Sequence, residues 1–420
     1  MLKIRHLLHT FIVSAVMLTA LTTAAYAAEV NVTVDENPIA WTDAQPYIDS
    51  NQRTMIPLRA AAEAMGLSVD WDSTAGEAVF TKTFDSIDDC PYQYRAPDGS
   101  YTKELQVRFT PYLHTMVIDD QTGYQKTEYM DTSADIKNGR IYAPIRYLAE
   151  ATGYSVDWDL PSRTVTITDT SETLGELTED EWNYHYTMDS LDDSKIYDLM
   201  YRANQNYITQ YTVDFPYTKD YTNITERFHK IRNRLYWANI EDTGYVTKES
   251  MRFSYTDTGL SCFSYCNPLF GSDDDLKKRE ESYTLARNLI SDMYRKKLLS
   301  PTMSEYQRAK AIYDYFCPTV TYAYDSNQAA TGWYVLKNRR GICQGYTAAY
   351  NLLLKTDGIK CRAQTGYTLS SADGHCWTVA VLDGVEYHID ATWYQGNYFG
   401  LTDKQIQKDH YWLEVGIYAK

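Results

Sequence analysis

Residues 373–393 read Asp-Gly-His-Cys-Trp-Thr-Val-Ala-Val-Leu-Asp-Gly-Val-Glu-Tyr-His-Ile-Asp-Ala-Thr-Trp. Thr378–Leu382 and Val385–Ile389 alternate in the manner of strands, and Asp383-Gly384 between them is a strong two-residue hairpin turn. Leu382 then faces Val385. Counting outward from that pair sets Trp377 opposite Asp390 and leaves Asp390 diagonal to His375 on one face of the sheet. Diagonal neighbours lie about 7–8 Å apart, within reach of an imidazole–carboxylate hydrogen bond. A four-residue loop on the same centre would keep this parity, and a three-residue loop would destroy it. His388 lies on the same strand face and is a rival base.

A cysteine lies upstream in Gly341-Ile-Cys-Gln-Gly-Tyr346. Gln344–Lys355 places Tyr346, Ala349, Tyr350 and Leu353 on one helix face, so Cys343 sits at the start of that helix. Unpaired N–H groups and the helix dipole there favour an anionic sulfur, and Arg340 is placed to add to the effect. Cys343, His375 and Asp390 divide the work of acyl transfer among nucleophile, base and orienting carboxylate. The backbone N–H of Cys343 is a candidate oxyanion donor, with Gln344 and Trp333 as candidates for a second. Trp377 and Trp393 are read as walls of the site. A zinc site is disfavoured, because Cys343, His375 and Cys376 lack paired CxxC spacing. Neither a metal nor a cofactor is expected.

Further out, residues 53–81 align with 140–168 at one constant offset and without gaps, with 13 of 29 positions identical. This is an internal repeat. In each copy Pro-x-Arg opens a short Ala/Glu-rich helix, Gly66 or Gly153 stops it, and Ser-Val-Asp-Trp-Asp follows as a strand. Val30–Val34 and His114–Ile118 are expected to complete the two halves, making an α+β module of short helices on antiparallel strands. Arg59, Arg146, Trp71 and Trp158 recur at matched positions, to be read as scaffold in which Arg covers Trp or pairs with Asp, with a glycan-binding edge as the alternative.

Two resemblances follow. Cys343-Gln-Gly-Tyr346, Gly374-His-Cys-Trp377 and Tyr387-His-Ile-Asp-Ala-Thr-Trp393 resemble the signature of the transglutaminase-like superfamily in its bacterial branch, over about residues 280–415. The resemblance implies an α+β, papain-like core: a cysteine helix packed on an antiparallel sheet that carries His and Asp. It also implies Cys343 as nucleophile, His375 as base and Asp390 as third member. Tyr306–Phe316 matches a helix that precedes such cores, and Tyr322–Tyr324 the segment after it. Cys376 and Thr378 depart from the Ala and Asn of the pattern and are expected on the face opposite His375. The repeat resembles the N-terminal domain of some copper amine oxidases, over about residues 30–169. His114 is the single histidine between 30 and 170, which is too few imidazoles for a copper site.

The 420 residues carry a formal charge of −16, with 39 tyrosines. An acidic chain without a Lys/Arg-rich block offers no face for nucleic acid or anionic membrane. Lys3 and Arg5, the apolar run Phe11–Leu21 and Ala25-Tyr-Ala27 read as a signal peptide. No later stretch is long and apolar enough to span a bilayer. The expected domains are a signal peptide at 1–27, the repeat module at 30–169, a linker and mixed region at 170–279 and the catalytic domain at 280–420. Within the mixed region, Thr222 opens a helical pattern to Leu235, while Met251–Tyr255 and Leu260–Tyr265 read as joined strands. Ser272 and the aspartates after it read as a helix N-terminus in preference to a calcium site. Seven cysteines suit a free nucleophile with bridges such as Cys361–Cys376 and Cys262–Cys266.

The expectation is a secreted or wall-associated enzyme that acts through Cys343, His375 and Asp390 on amide bonds of protein or cell-wall peptide. Hydrolysis stands slightly ahead of amine transfer. Expected partners are a protein or peptide substrate and cell-wall glycan or peptide. The competing class is a surface-binding protein with a vestigial triad.

Overall fold

In the computed structural model the described residues are 30–50, 52–90, 101–119, 125–169, 185–187, 210–214, 245–246, 250–254, 273–326 and 328–412. Over them the chain is mixed α+β with a β-rich N-terminal part. The signal-peptide reading, residues 170–178, the Thr222–Leu235 pattern, Leu260–Tyr265 and the Cys262–Cys266 pair lie outside them.

In each repeat a strand ends in proline, Thr54–Pro57 and Arg140–Pro144, and that proline caps a seven-residue helix, Leu58–Ala64 and Ile145–Ala151. Proline has no N–H to leave unpaired at a helix start, and its φ is already set for the entry. Gly66 and Gly153 then adopt φ of 75° and 90°. That left-handed conformation ends a helix at little cost only when no Cβ is present. The strands Ser68–Asp72 and Tyr154–Asp159 follow.

How the halves combine differs from the expected pairing. Thr54–Pro57 and Arg140–Pro144 pair with each other, antiparallel, across the repeats. Asn31–Val34 runs parallel to Thr164–Asp169 of the second repeat. Thr115–Asp119 lies in a five-stranded antiparallel sheet that begins with the first repeat's Ser68–Asp72 and Glu77–Thr83. The halves therefore exchange strands, and together they close one core around Ile56, Leu58, Phe80, Val107, Leu148 and Ile167. Arg59 and Arg146 are exposed and reach Glu63 and Glu150 one turn along their own helices, at 3.7 and 3.6 Å. This corrects the reading that they cover Trp or pair with Asp. Trp71 and Trp158 stand 44% and 36% exposed on their strands.

Ser250–Ser254 is a strand, but its neighbours are Gln210–Asp214 and Tyr245–Val246. It belongs to a four-stranded sheet that includes His185–Thr187. The helix Asp273–Arg295 begins within the acidic run, while Ser272, read as its cap, lies outside the described residues.

The C-terminal part packs Asp273–Arg295, Glu305–Phe316 and Gly332–Asn338 around the helix Cys343–Thr356, which lies on a sheet ordered Val385–Ile389, Ser371–Leu382, Cys361–Thr368, His410–Tyr411. The central helix is buried from Gly345 to Thr356 all round, including Asn351 and Lys355. One apolar face was legible in its sequence. The opposite face is buried as well because helices cover the side that the sheet does not. Cys90, Cys317, Cys343, Cys361 and Cys376 are all buried, and the Cys317, Cys343 and Cys361 thiols are free. The Cys361–Cys376 bridge is not formed, since Cys361 pairs with Ala380 and Cys376 with Thr365, out of register along adjacent strands.

The two cores touch. Leu113 of the N-terminal part is buried in the C-terminal core, and the ring pairs Tyr112–Tyr294 and Tyr129–Tyr283 lie 5.3 and 5.9 Å apart. The His114 N–H donates to the Thr356 carbonyl, and the Thr127 hydroxyl donates to Glu280. His114 is half-buried here, and desolvation pushes its imidazole down to about 4. Among the described residues no helix is long and apolar enough to cross a membrane.

Candidate active site

The hairpin has the register its turn predicts. Leu382 pairs with Val385 and Thr378 with Ile389, and Asp383 and Gly384 both have positive φ, at 52° and 83°, as a tight primed turn requires. Ladder pairing stops at Ile389, and the Asp390 N–H donates instead to the Tyr398 carbonyl. The diagonal contact forms: His375 Nε2 lies 2.7 Å from Asp390 Oδ2. Asp390 is wholly buried, and its other oxygen accepts the Thr392 N–H at 2.8 Å.

Cys343 is the first residue of its helix, behind Ile342 in extended conformation. Its thiol is a side-chain hydrogen-bond partner of His375. With Nε2 engaged by Asp390, Nδ1 is the ring nitrogen left for that contact. Burial works against a charged His375, but the bonds to Asp390 and Cys343 outweigh it and raise the imidazole to about 9. Burial likewise opposes an ionised Asp390, yet its hydrogen bonds from His375 and His410 hold it below the usual carboxylate range. Cys343, His375 and Asp390 are thus brought together. Trp377 and Trp393 stack on the His375 ring at 6.0 and 5.5 Å.

The rival base is placed elsewhere in the network. His388 accepts from the Trp377 indole N–H at 2.8 Å and meets Asp403 with its other nitrogen at 3.0 Å. Burial pushes its imidazole down. Arg340 is exposed and paired with Asp325, so its charge is spent outside the site. The Trp333 N–H donates to Glu281 at 2.7 Å and is not free for an oxyanion. Gln344 lies in the first turn beside Cys343, half-buried. Thr378 points to the helix and donates to Asn351. Cys376, also on that face, forms a small buried cluster with Cys343 and Ala348. The alternation reading therefore holds for both, but Cys376 bears directly on the candidate nucleophile, because the helix start covers its face of the strand.

Two residues of the site had no assigned role in the sequence. The backbone N–H of Cys343 donates to the Tyr322 hydroxyl, and His410, wholly buried, lies 3.2 Å from Asp390 Oδ2 through Nε2. Tyr322 falls inside a segment read only as matching a connection. His410 lies well beyond the last motif, on a two-residue strand too short for periodicity to reveal. The ligand atoms of His375, Asp390 and His410 all lie within 4.8 Å of one another, close enough to hold a metal ion. Their mutual hydrogen bonds account for the same closeness.

Residues 292–395 match the transglutaminase-like superfamily, and 33–88 with 103–178 match the copper amine oxidase N-terminal domain. The kyphoscoliosis peptidases of Mus musculus and Homo sapiens are 25% and 24% identical over 26% and 28% of this chain. The chain spans about a fifth of the length of these curated relatives, 18% and 19%. A solved structure described as a TGase is 12% identical over 60% of this chain and 68% of its own, with a TM-score of 0.25. The chain thus joins a segment that matches the copper amine oxidase N-terminal domain to one that matches the transglutaminase-like superfamily.

Proposed function

We propose that this protein is a secreted cysteine-dependent acyl-transfer enzyme that acts on amide bonds of protein or cell-wall peptide. The observation that carries the reading is the unbroken hydrogen-bonded line Cys343–His375–Asp390, with the sulfur at a helix start and the carboxylate wholly buried. In that line His375 already holds the proton taken from the Cys343 thiol when the sulfur attacks the substrate's carbonyl carbon. The oxyanion that forms takes the Cys343 N–H, displacing the Tyr322 hydroxyl. On collapse the C–N bond breaks, His375 delivers its proton to the departing amine, and a thioester remains on Cys343. Water or a second amine then resolves the thioester, with His375 receiving and returning one proton. Asp390 holds the imidazole with its Nε2 proton inward throughout. Hydrolysis of peptide is favoured over amine transfer. Export rests on the N-terminal Lys3/Arg5, apolar run and Ala25-Tyr-Ala27 pattern, and wall retention would use specific contacts, since a chain of charge −16 is repelled by polyanionic polymers.

The test compares the protein with Cys343→Ala on casein plus dansylcadaverine and on peptidoglycan stem peptides, read by mass spectrometry. Cleavage or amine incorporation should fall by about a thousand-fold or more in the variant. If the two behave alike while Cys343 still alkylates, the catalytic reading fails and a binding protein takes its place.

A further inference from the structure

The hydrogen-bonded line does not end at Asp390. His410 lies wholly buried, with Nε2 3.2 Å from Asp390 Oδ2 and Nδ1 2.6 Å from Asp409 Oδ1. The other oxygen of Asp409 accepts from the Tyr398 hydroxyl. Tyr398 therefore ties both aspartates, its hydroxyl to the Asp409 carboxylate and its carbonyl to the Asp390 backbone N–H. The His410 ring is walled by Trp377 at 5.0 Å and Trp393 at 4.7 Å. The titratable groups that face it are His375, Asp390, Asp409 and Tyr398.

A ring nitrogen facing an ionised carboxylate must carry a proton, because a carboxylate only accepts. Both nitrogens of His410 face carboxylates, so both are protonated and the ring is a cation. We propose that His410 is a positioning residue that acts through Asp390: a standing imidazolium that shares this carboxylate with His375 and keeps the His375 proton transferable. The inference rests on the triad reading above.

The physical need is charge balance. Asp390 is an anion without solvent, and an unpaired buried charge is costly. If His375 were its only cationic partner, Asp390 would be compensated in just one half of the cycle, and would hold the His375 proton too tightly to release it to a leaving amine. A second cation on Asp390 Oδ2 removes both problems. Burial opposes a charged His410, but the bonds to Asp390 and Asp409 prevail and raise its imidazole.

The experiment is 15N NMR of the full-length protein labelled at histidine, with His410 and His375 assigned by difference from His410→Gln and His375→Ala. Both His410 ring nitrogens should be protonated throughout pH 6–8. A neutral tautomer, or a titration inside that range, overturns the proposal. In His410→Gln the His375 midpoint should rise by about one pH unit, because a neighbouring cation has gone, and kcat should fall with KM little changed. A purely structural role would leave the midpoint in place, and an unmoved or lowered midpoint overturns the proposal. Should that variant not fold, Asp409→Asn keeps the shape and should lower His410's own midpoint by about one unit; no change there is equally fatal. The NMR readings need no substrate. A failure of Cys343-dependent turnover therefore sinks the functional reading alone, and an unmoved His375 midpoint in an active enzyme sinks this inference alone.

Discussion

His375 concentrates the chemistry because opposing effects meet on it. Burial disfavours its charged form, while Asp390 and Cys343 favour it more strongly, which leaves the imidazole raised to about 9. For a cysteine nucleophile the proton-bearing imidazole is the partner of the attacking sulfur and the donor to the leaving group. The rate of any Cys343-dependent reaction should therefore fall as pH rises through about 9, and a pH profile of kcat/KM checks this. The same shift is a stability statement. A folded-state value above the unfolded one, about 6.5, contributes stability that is fully present below 6.5 and lost as pH climbs through the folded value. Urea midpoints should thus decline between those limits in the natural protein, and His375→Ala should flatten that decline. Parity along the strand singled out His375 and Asp390, but the same parity admitted His388. Only the Trp377 indole and Asp403, which claim its two nitrogens, separate the rivals.

At the scale of elements, the cysteine helix depends on how closely its first turn can approach its neighbours. A Cβ on Gly345 would stand 2.4 Å from the Ala329 carbonyl oxygen and 2.7 Å from a Val335 methyl. A backbone oxygen cannot move aside as the end of a long side chain can. Gly345→Ala should therefore push the helix start, and with it Cys343, away from His375. We expect a loss of about 1–3 kcal/mol in urea unfolding and slower iodoacetamide alkylation of Cys343, followed by intact mass. An alanine that leaves both unchanged would show that this contact does not position the thiol. The glycine is visible in the Cys-Gln-Gly-Tyr motif. Its reason is not, because Ala329 comes from a separate loop that the fold brings against the helix.

Across the whole molecule, the N-terminal part contributes to the core beneath the site. Leu113 is buried in the C-terminal cluster, and Tyr112, His114, Thr127 and Tyr129 make the contacts around it. Leu113→Ala should cost about 2–5 kcal/mol as a buried truncation. It should also lower the unfolding temperature reported by tryptophan fluorescence, to which Trp377 and Trp393 of the C-terminal part contribute. A transition unchanged in position would mean that the two parts are energetically independent.

What the sequence determined by itself was local or periodic: the turn at Asp383-Gly384 and the register it imposes, the proline-started and glycine-stopped helices of the repeat, and the helix start at Cys343. Each follows from backbone geometry that a few adjacent residues dictate. The tertiary structure alone decided which half of the repeat pairs with which, that the cysteine helix is covered on every side, that Cys376 lies against Cys343, and that His410 completes the carboxylate's partners. These are meetings of distant segments. Strand alternation says which way a side chain faces but not what it will face, and a histidine on a two-residue strand carries no period at all.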